Sequence, residues 1–116
     1  MYKNTKPYVP RSVEEVQDLV GSMMLGAPTF VDKTEFFPDR NIESEFFCLN
    51  EGLKGIRKQI GEQDYDRLAG LTRRMRAHFE ADPEDITGET AKGRQCILEM
   101  LEVLGAAWRR EHRSAR

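Results

Sequence analysis

The amino-acid sequence predicts an all-α, single-domain four-helix bundle with an aromatic loop between its first and second helices. Four stretches repeat apolar residues at spacings of three and four, the period of a helix that buries one face. No stretch shows the polar–apolar alternation of a half-buried strand. The connections are short or moderate, so consecutive helices are expected as antiparallel neighbours whose four stripes face one axis.

A chain of 116 residues fits one domain, residues 1–116, with a core large enough to fold without staples. Residues 1–11 carry two prolines and no periodicity, and read as an extended lead-in laid on the bundle through Tyr8 and Val9. Ser12 with Glu15 three positions on forms a capping-box pattern: the hydroxyl accepts an orphan amide and the carboxylate reaches back. Val13, Val16, Leu19, Val20, Met23 and Met24 then follow at helical spacing, until Gly26 and Pro28 stop the first helix.

Residues 27–38 form the longest irregular stretch and carry Phe30, Phe36 and Phe37. Large rings are costly to leave in water, so this loop is expected to close one end of the bundle or to face a partner. Asp39 or Asn41 caps the second helix. Its seam is Ile42, Phe46, Leu49, Leu53, Ile56 and Ile60, with Phe47 widening the stripe. Gly52 and Gly55 each cost a helix about 1 kcal/mol relative to alanine, which predicts close approach of a neighbouring backbone at both. Gly61 ends this helix.

The third helix is expected over residues 62–81, with Tyr65, Leu68, Leu71, Met75, His78 and Phe79 on its inner face. Pro83 disfavours a helical Asp82 and ends it. The fourth begins near Thr87 or Thr90 and carries Ile97, Leu98, Leu101, Leu104 and Trp108. Residues 109–116 read as a basic tail that frays.

Composition excludes several classes of function. A formal net charge of −2 supplies no clustered positive charge for nucleic acid. No apolar run is long enough to cross a membrane, and the start Met1-Tyr2-Lys3-Asn4-Thr5-Lys6-Pro7 has no apolar signal region, so a cytoplasmic location is expected. Cys48 and Cys96 read as buried free thiols. They are too few and too isolated for zinc.

The chemical candidates have structural explanations. His78 lacks the glutamate three positions earlier that a di-iron bundle uses, so an edge-of-core histidine is expected; His112 lies in the tail. Glu43, Glu45, Glu51, Glu99 and Glu102 fall off the apolar stripes and should point outward. Residues 82–93 fail the calcium-loop pattern at Ile86 and Gly93. Basic residues from Lys54 to Arg76 are interleaved with acids, which reads as a mixed surface. No catalytic residue, cofactor or metal is therefore assigned.

Met23, Met24, Phe30, Phe36 and Phe37 remain as the candidate partner or ligand surface, with Leu25 among them in the chain. Phe36 and Phe37 are adjacent, and side chains alternate in an extended segment, so one of them is expected outside the core. The expected function is a non-enzymatic protein that binds a larger protein partner, inhibition being one form such binding takes, or self-associates. Small size and acidic helical character resemble bacterial immunity proteins and antitoxins in type, without a shared motif. The alternative is a small apolar ligand held between the loop and the ends of the first two helices.

Overall fold

In the computed structural model, which describes residues 8–31 and 39–114, four helices follow one another. They are α1 (Val13–Gly26), α2 (Ile42–Ile60), α3 (Glu62–Glu80) and α4 (Glu89–Ser114). No strand occurs among the described residues. Around the bundle, α1 packs on α2, α2 on α3, α3 on α4, and α4 closes onto α1. Cross-contacts fix the antiparallel order. Arg57 at the end of α2 pairs with Glu62 at the start of α3, and Asp64 of α3 pairs with Arg110 near the end of α4.

The starts of α1 and α2 are set by short polar side chains. The Glu15 amide donates to Ser12 Oγ at 3.1 Å, satisfying one of the helix's orphan donors. Glu15 does not complete the expected capping box. Its Oε1 instead accepts the Arg11 amide at 2.9 Å and the Tyr8 hydroxyl at 2.6 Å, which ties down the lead-in. Those hydrogen bonds, Tyr8 first and Arg11 second, hold the Glu15 carboxyl below its ordinary range. At α2, Asn41 and Ser44 form a reciprocal capping box.

Gly61 alone separates α2 from α3. Its φ of 93° lies where an L side chain is strained, so glycine allows this one-residue reversal. Arg57 spans the reversal with two 2.6 Å bonds to Glu62 and lies 4.4 Å above the Tyr65 ring.

The core is built from the expected stripes. Val16, Val20 and Met23 of α1 meet Phe46, Leu49, Leu53 and Ile56 of α2; Leu68, Leu71, Met75 and Phe79 of α3 meet Ile97, Met100 and Leu104 of α4. Several positions differ from the sequence expectation. Phe47 is 50% exposed and Leu98 is 45% exposed, because each lies beside a seam residue but round the helix from it. Met100, Val103 and Ala107 take the inward places on α4. Glu45 is buried rather than outward, and Arg40 neutralises it through bonds of 3.2 and 3.0 Å.

The two α2 glycines also separate. A Cβ on Gly52 would lie 2.6 Å from Pro10 Cγ and 3.3 Å from Val16 Cγ2, so the lead-in docks in this notch. Gly55 has nothing within 4 Å, and no neighbour explains it. Residues 109–114 continue α4. Arg110 bonds Asp64 at 2.7 Å, Gln59 donates to Glu111, and the His112 ring stacks on Trp108 at 3.7 Å. These contacts hold the last turns against the helices beside them.

Candidate functional site

The site is built at one end of the bundle, where α1 and α3 finish and α2 and α4 begin. Beneath the surface, three phenylalanines seal this end. Phe30 stands edge-on to Phe46 (6.0 Å, 85°) and to Phe79 (5.6 Å, 69°), an arrangement that opposes ring edge to ring face. Phe30 is held at φ 61°, a left-handed conformation that costs a non-glycine residue about 1–3 kcal/mol. Burial of its whole ring offsets that cost.

The sequence-predicted surface residues therefore divide. Met23 and Phe30 are fully buried core residues, not surface. Their places on the inward face of α1 and in the turn after it leave them no route to a partner. Met24 is half-buried and packs against the core; its carbonyl accepts Arg94 Nε at 3.3 Å. Phe36 and Phe37 lie outside the described residues.

Other side chains form the exposed surface here. Leu25 is 92% exposed, Ile86 77% and Val31 54%. Leu25 and Val31 line an open depression of about 750 Å³ together with Pro28, Arg40, Glu84 and Asp85. A second depression of about 370 Å³ adjoins it at Pro28, Thr29, Val31 and Pro83. Neither is lined by Met24 or Phe30. Leu25 was legible in the sequence: it falls two positions after Met23, off the stripe Val13, Val16, Val20, Met23. Ile86 was legible too, as one apolar residue inside an acidic turn.

Two polar devices hold the turns that carry these residues. Arg94 donates from Nη2 to the Ala27 carbonyl at 3.4 Å, besides its bond to Met24, and Nη1 lies 3.5 Å from Asp85 Oδ2. It thus satisfies carbonyls at the end of α1 and places positive charge at the negative end of the helix dipole. Asp82, which is buried, accepts the amides of Ile86 (2.8 Å), Thr87 (3.2 Å) and Thr90 (3.1 Å), while the Thr90 hydroxyl donates back to the Asp82 carbonyl at 2.9 Å. Burial alone would raise this carboxyl. The amides of Ile86, Thr90 and Thr87, with Thr90 Oγ1, outweigh it and hold the pKa at about 2.

Elsewhere the titratable groups are tied into ordinary contacts. His78 Nδ1 lies 2.8 Å from Glu89 Oε1, with Lys92 on the other carboxylate oxygen at 2.9 Å. Lys92 first and His78 second hold Glu89 below its ordinary range. Burial pushes the thiols of Cys48 and Cys96 up, which keeps them protonated. Among the described residues, no group of three or more His, Cys, Asp or Glu side chains could hold a metal ion, and no helix is long and apolar enough to cross a membrane. The arrangement offers a surface on which exposed Leu25 and Val31 stand among polar and charged neighbours, Arg40, Glu84 and Asp85 among them.

Compared with family models, curated proteins and solved structures, the chain has no match.

Proposed function

We propose that this chain is a non-enzymatic interaction protein that binds a larger protein partner through the bundle end formed by residues 25–31 and 83–86. The observation that carries this reading is the near-complete exposure of Leu25, which shares a depression with Val31, with exposed Ile86 following Glu84 and Asp85 of that depression in the chain, over a core end already filled by Phe30, Phe46 and Phe79. The fold does not need these three side chains for its own core. Apolar residues grouped round a depression on an ordered surface suit a protein contact. The alternative, a small apolar ligand held by Met24, Phe30 and Phe37, has less behind it: the two depressions described are open and are not lined by Met24 or Phe30, and Phe37 lies outside the described residues. The kind of protein that fits is a small neutralising partner acting in the cytoplasm, as immunity proteins and antitoxins do.

The test places a photo-crosslinking residue at Leu25, at Ile86 and, as a control, at exposed Arg73 on α3. In cells that make the chain, the first two positions should yield one discrete protein adduct and Arg73 none. Leu25→Ser should remove the adduct formed from Ile86 while the melting temperature stays at the parent value. Equal adducts from all three positions, or none from any, would refute the reading.

A further inference from the structure

Charge at this end is distributed unlike that of the chain as a whole. Residues 22–31, 39–46 and 76–94 hold eight carboxylates and four Lys or Arg side chains, a formal charge of −4. The whole chain carries −2, so the remainder is +2. The cations at this end are already engaged. Arg40 pairs with Glu45, Arg76 with Glu80, Lys92 with Glu89 and Arg94 with Asp85. Asp39, Glu43 and Glu84 are exposed and have no ion-pair partner among the described residues. Glu84, Asp85 and Arg40 line the same depression as Leu25 and Val31, with Arg40 paired to Glu45 and Asp85 to Arg94, which leaves Glu84 as its unpaired charge.

From this juxtaposition we infer that the face which docks here is a cationic protein surface, with lysines or arginines around an apolar side chain that enters the depression. The inference rests on the interaction reading above and names the chemistry of the partner. Opposed charge steers encounter and orients the docked pair, while like charges brought together are costly. A second copy of this chain presenting the same end would set one acidic surface against another, the unpaired Asp39, Glu43 and Glu84 of each included. Nucleic acid and anionic lipid are repelled for the same reason. The apolar contact supplies attraction that charge alone, in exposed pairs, does not.

Two defined probes test it: an amphipathic helical peptide of leucine and lysine, and its counterpart of leucine and glutamate, each titrated into the ¹⁵N-labelled protein. The leucine–lysine peptide should shift the amides of residues 22–31 and 84–88 saturably. Raising salt from about 0.05 M to about 0.5 M should weaken it about tenfold, since screening shortens the reach of exposed charges. Leu25→Ser should abolish the localised shifts. Glu43→Gln combined with Glu84→Gln should weaken binding about threefold to tenfold, within the range of rim charges, at unchanged melting temperature. The leucine–glutamate peptide should not bind. If both peptides shift the same amides with little salt dependence, the docking surface stands and the cationic partner is overturned. If the leucine–lysine peptide shifts amides scattered over the molecule, or none, the inference also fails, and crosslinks at Leu25 and Ile86 decide separately whether the interaction reading survives.

Discussion

Replacing Gly93 with alanine puts the packing of the aromatic end under direct strain. A Cβ there would lie 2.3 Å from Phe79 Cε1, 2.7 Å from Cδ1 and 2.9 Å from Cζ. Carbon atoms prefer about 3.5–4.0 Å, so the ring must retreat by more than about 1 Å. It has little room, because Phe79 is fully buried and Phe30, held edge-on to it, is itself wedged against Phe46. Overpacking of this kind costs about 1–3 kcal/mol, and three close ring atoms place it at the upper end; the helix-propensity gain of about 1 kcal/mol offsets part, leaving a net loss of about 2 kcal/mol. Gly55→Ala is the matched control, since nothing lies within 4 Å of that position. It should gain about 0.5–1 kcal/mol from propensity alone. Urea unfolding followed by circular dichroism measures both, and Gly93→Ala should also melt about 8 °C below the parent. Phe79→Leu in the Gly93→Ala background should recover part of the loss, as contacting positions are not additive. If Gly93→Ala is as stable as Gly55→Ala, the reasoning about the aromatic end is wrong.

Three further outcomes follow from the same structure. Phe30→Ala should lose about 3–5 kcal/mol in urea unfolding while Leu25→Ser stays within about 0.5 kcal/mol of the parent; equal losses would mean that Leu25 is not the exposed residue described. Asp82 has a folded pKa of about 2, below its ordinary value of 3.8, so the stability it contributes is present above the ordinary value and is lost as pH falls through about 2. Melting temperature should therefore decline with acidification more steeply in the parent than in Asp82→Asn, and parallel curves would show that the carboxylate is not held by those amides. Cys48 and Cys96, with thiols raised by burial, should react with a thiol reagent only as fast as the chain opens, so that labelling slowly in buffer and at once in denaturant is the expected pattern.

The all-α class, the four helices and most of the core were legible in the sequence. Apolar spacing reports which face of a helix leaves water, and that periodicity is a local property of the chain. The cap at Ser12 was legible, and that of α2 was narrowed to Asp39 or Asn41, for a similar reason: a short polar side chain meets amides only three residues away. The buried thiols followed from the same stripes. Leu25 and Ile86 are surface residues by their register, whereas clustering along the chain groups Leu25 with Met23 and Phe30 and does not tell exposed from buried.

Contacts between distant segments decided the rest. Whether Phe30 turns inward depends on Phe46 and Phe79, sixteen and forty-nine positions away, which hold it in a backbone conformation that a phenylalanine would not choose locally. Residues 109–114 are helical, and Asp64 and Gln59 reach them from other helices. Glycines at 52 and 55 look alike in the chain, yet only one has Pro10 lodged against it. Asp82 reads as a turn residue until the amides of Ile86, Thr87 and Thr90 converge on its carboxylate. Periodicity tells each helix which face to bury; which residues meet across the buried faces, and which apolar side chains are left for a partner, is set by how the four helices close on one another.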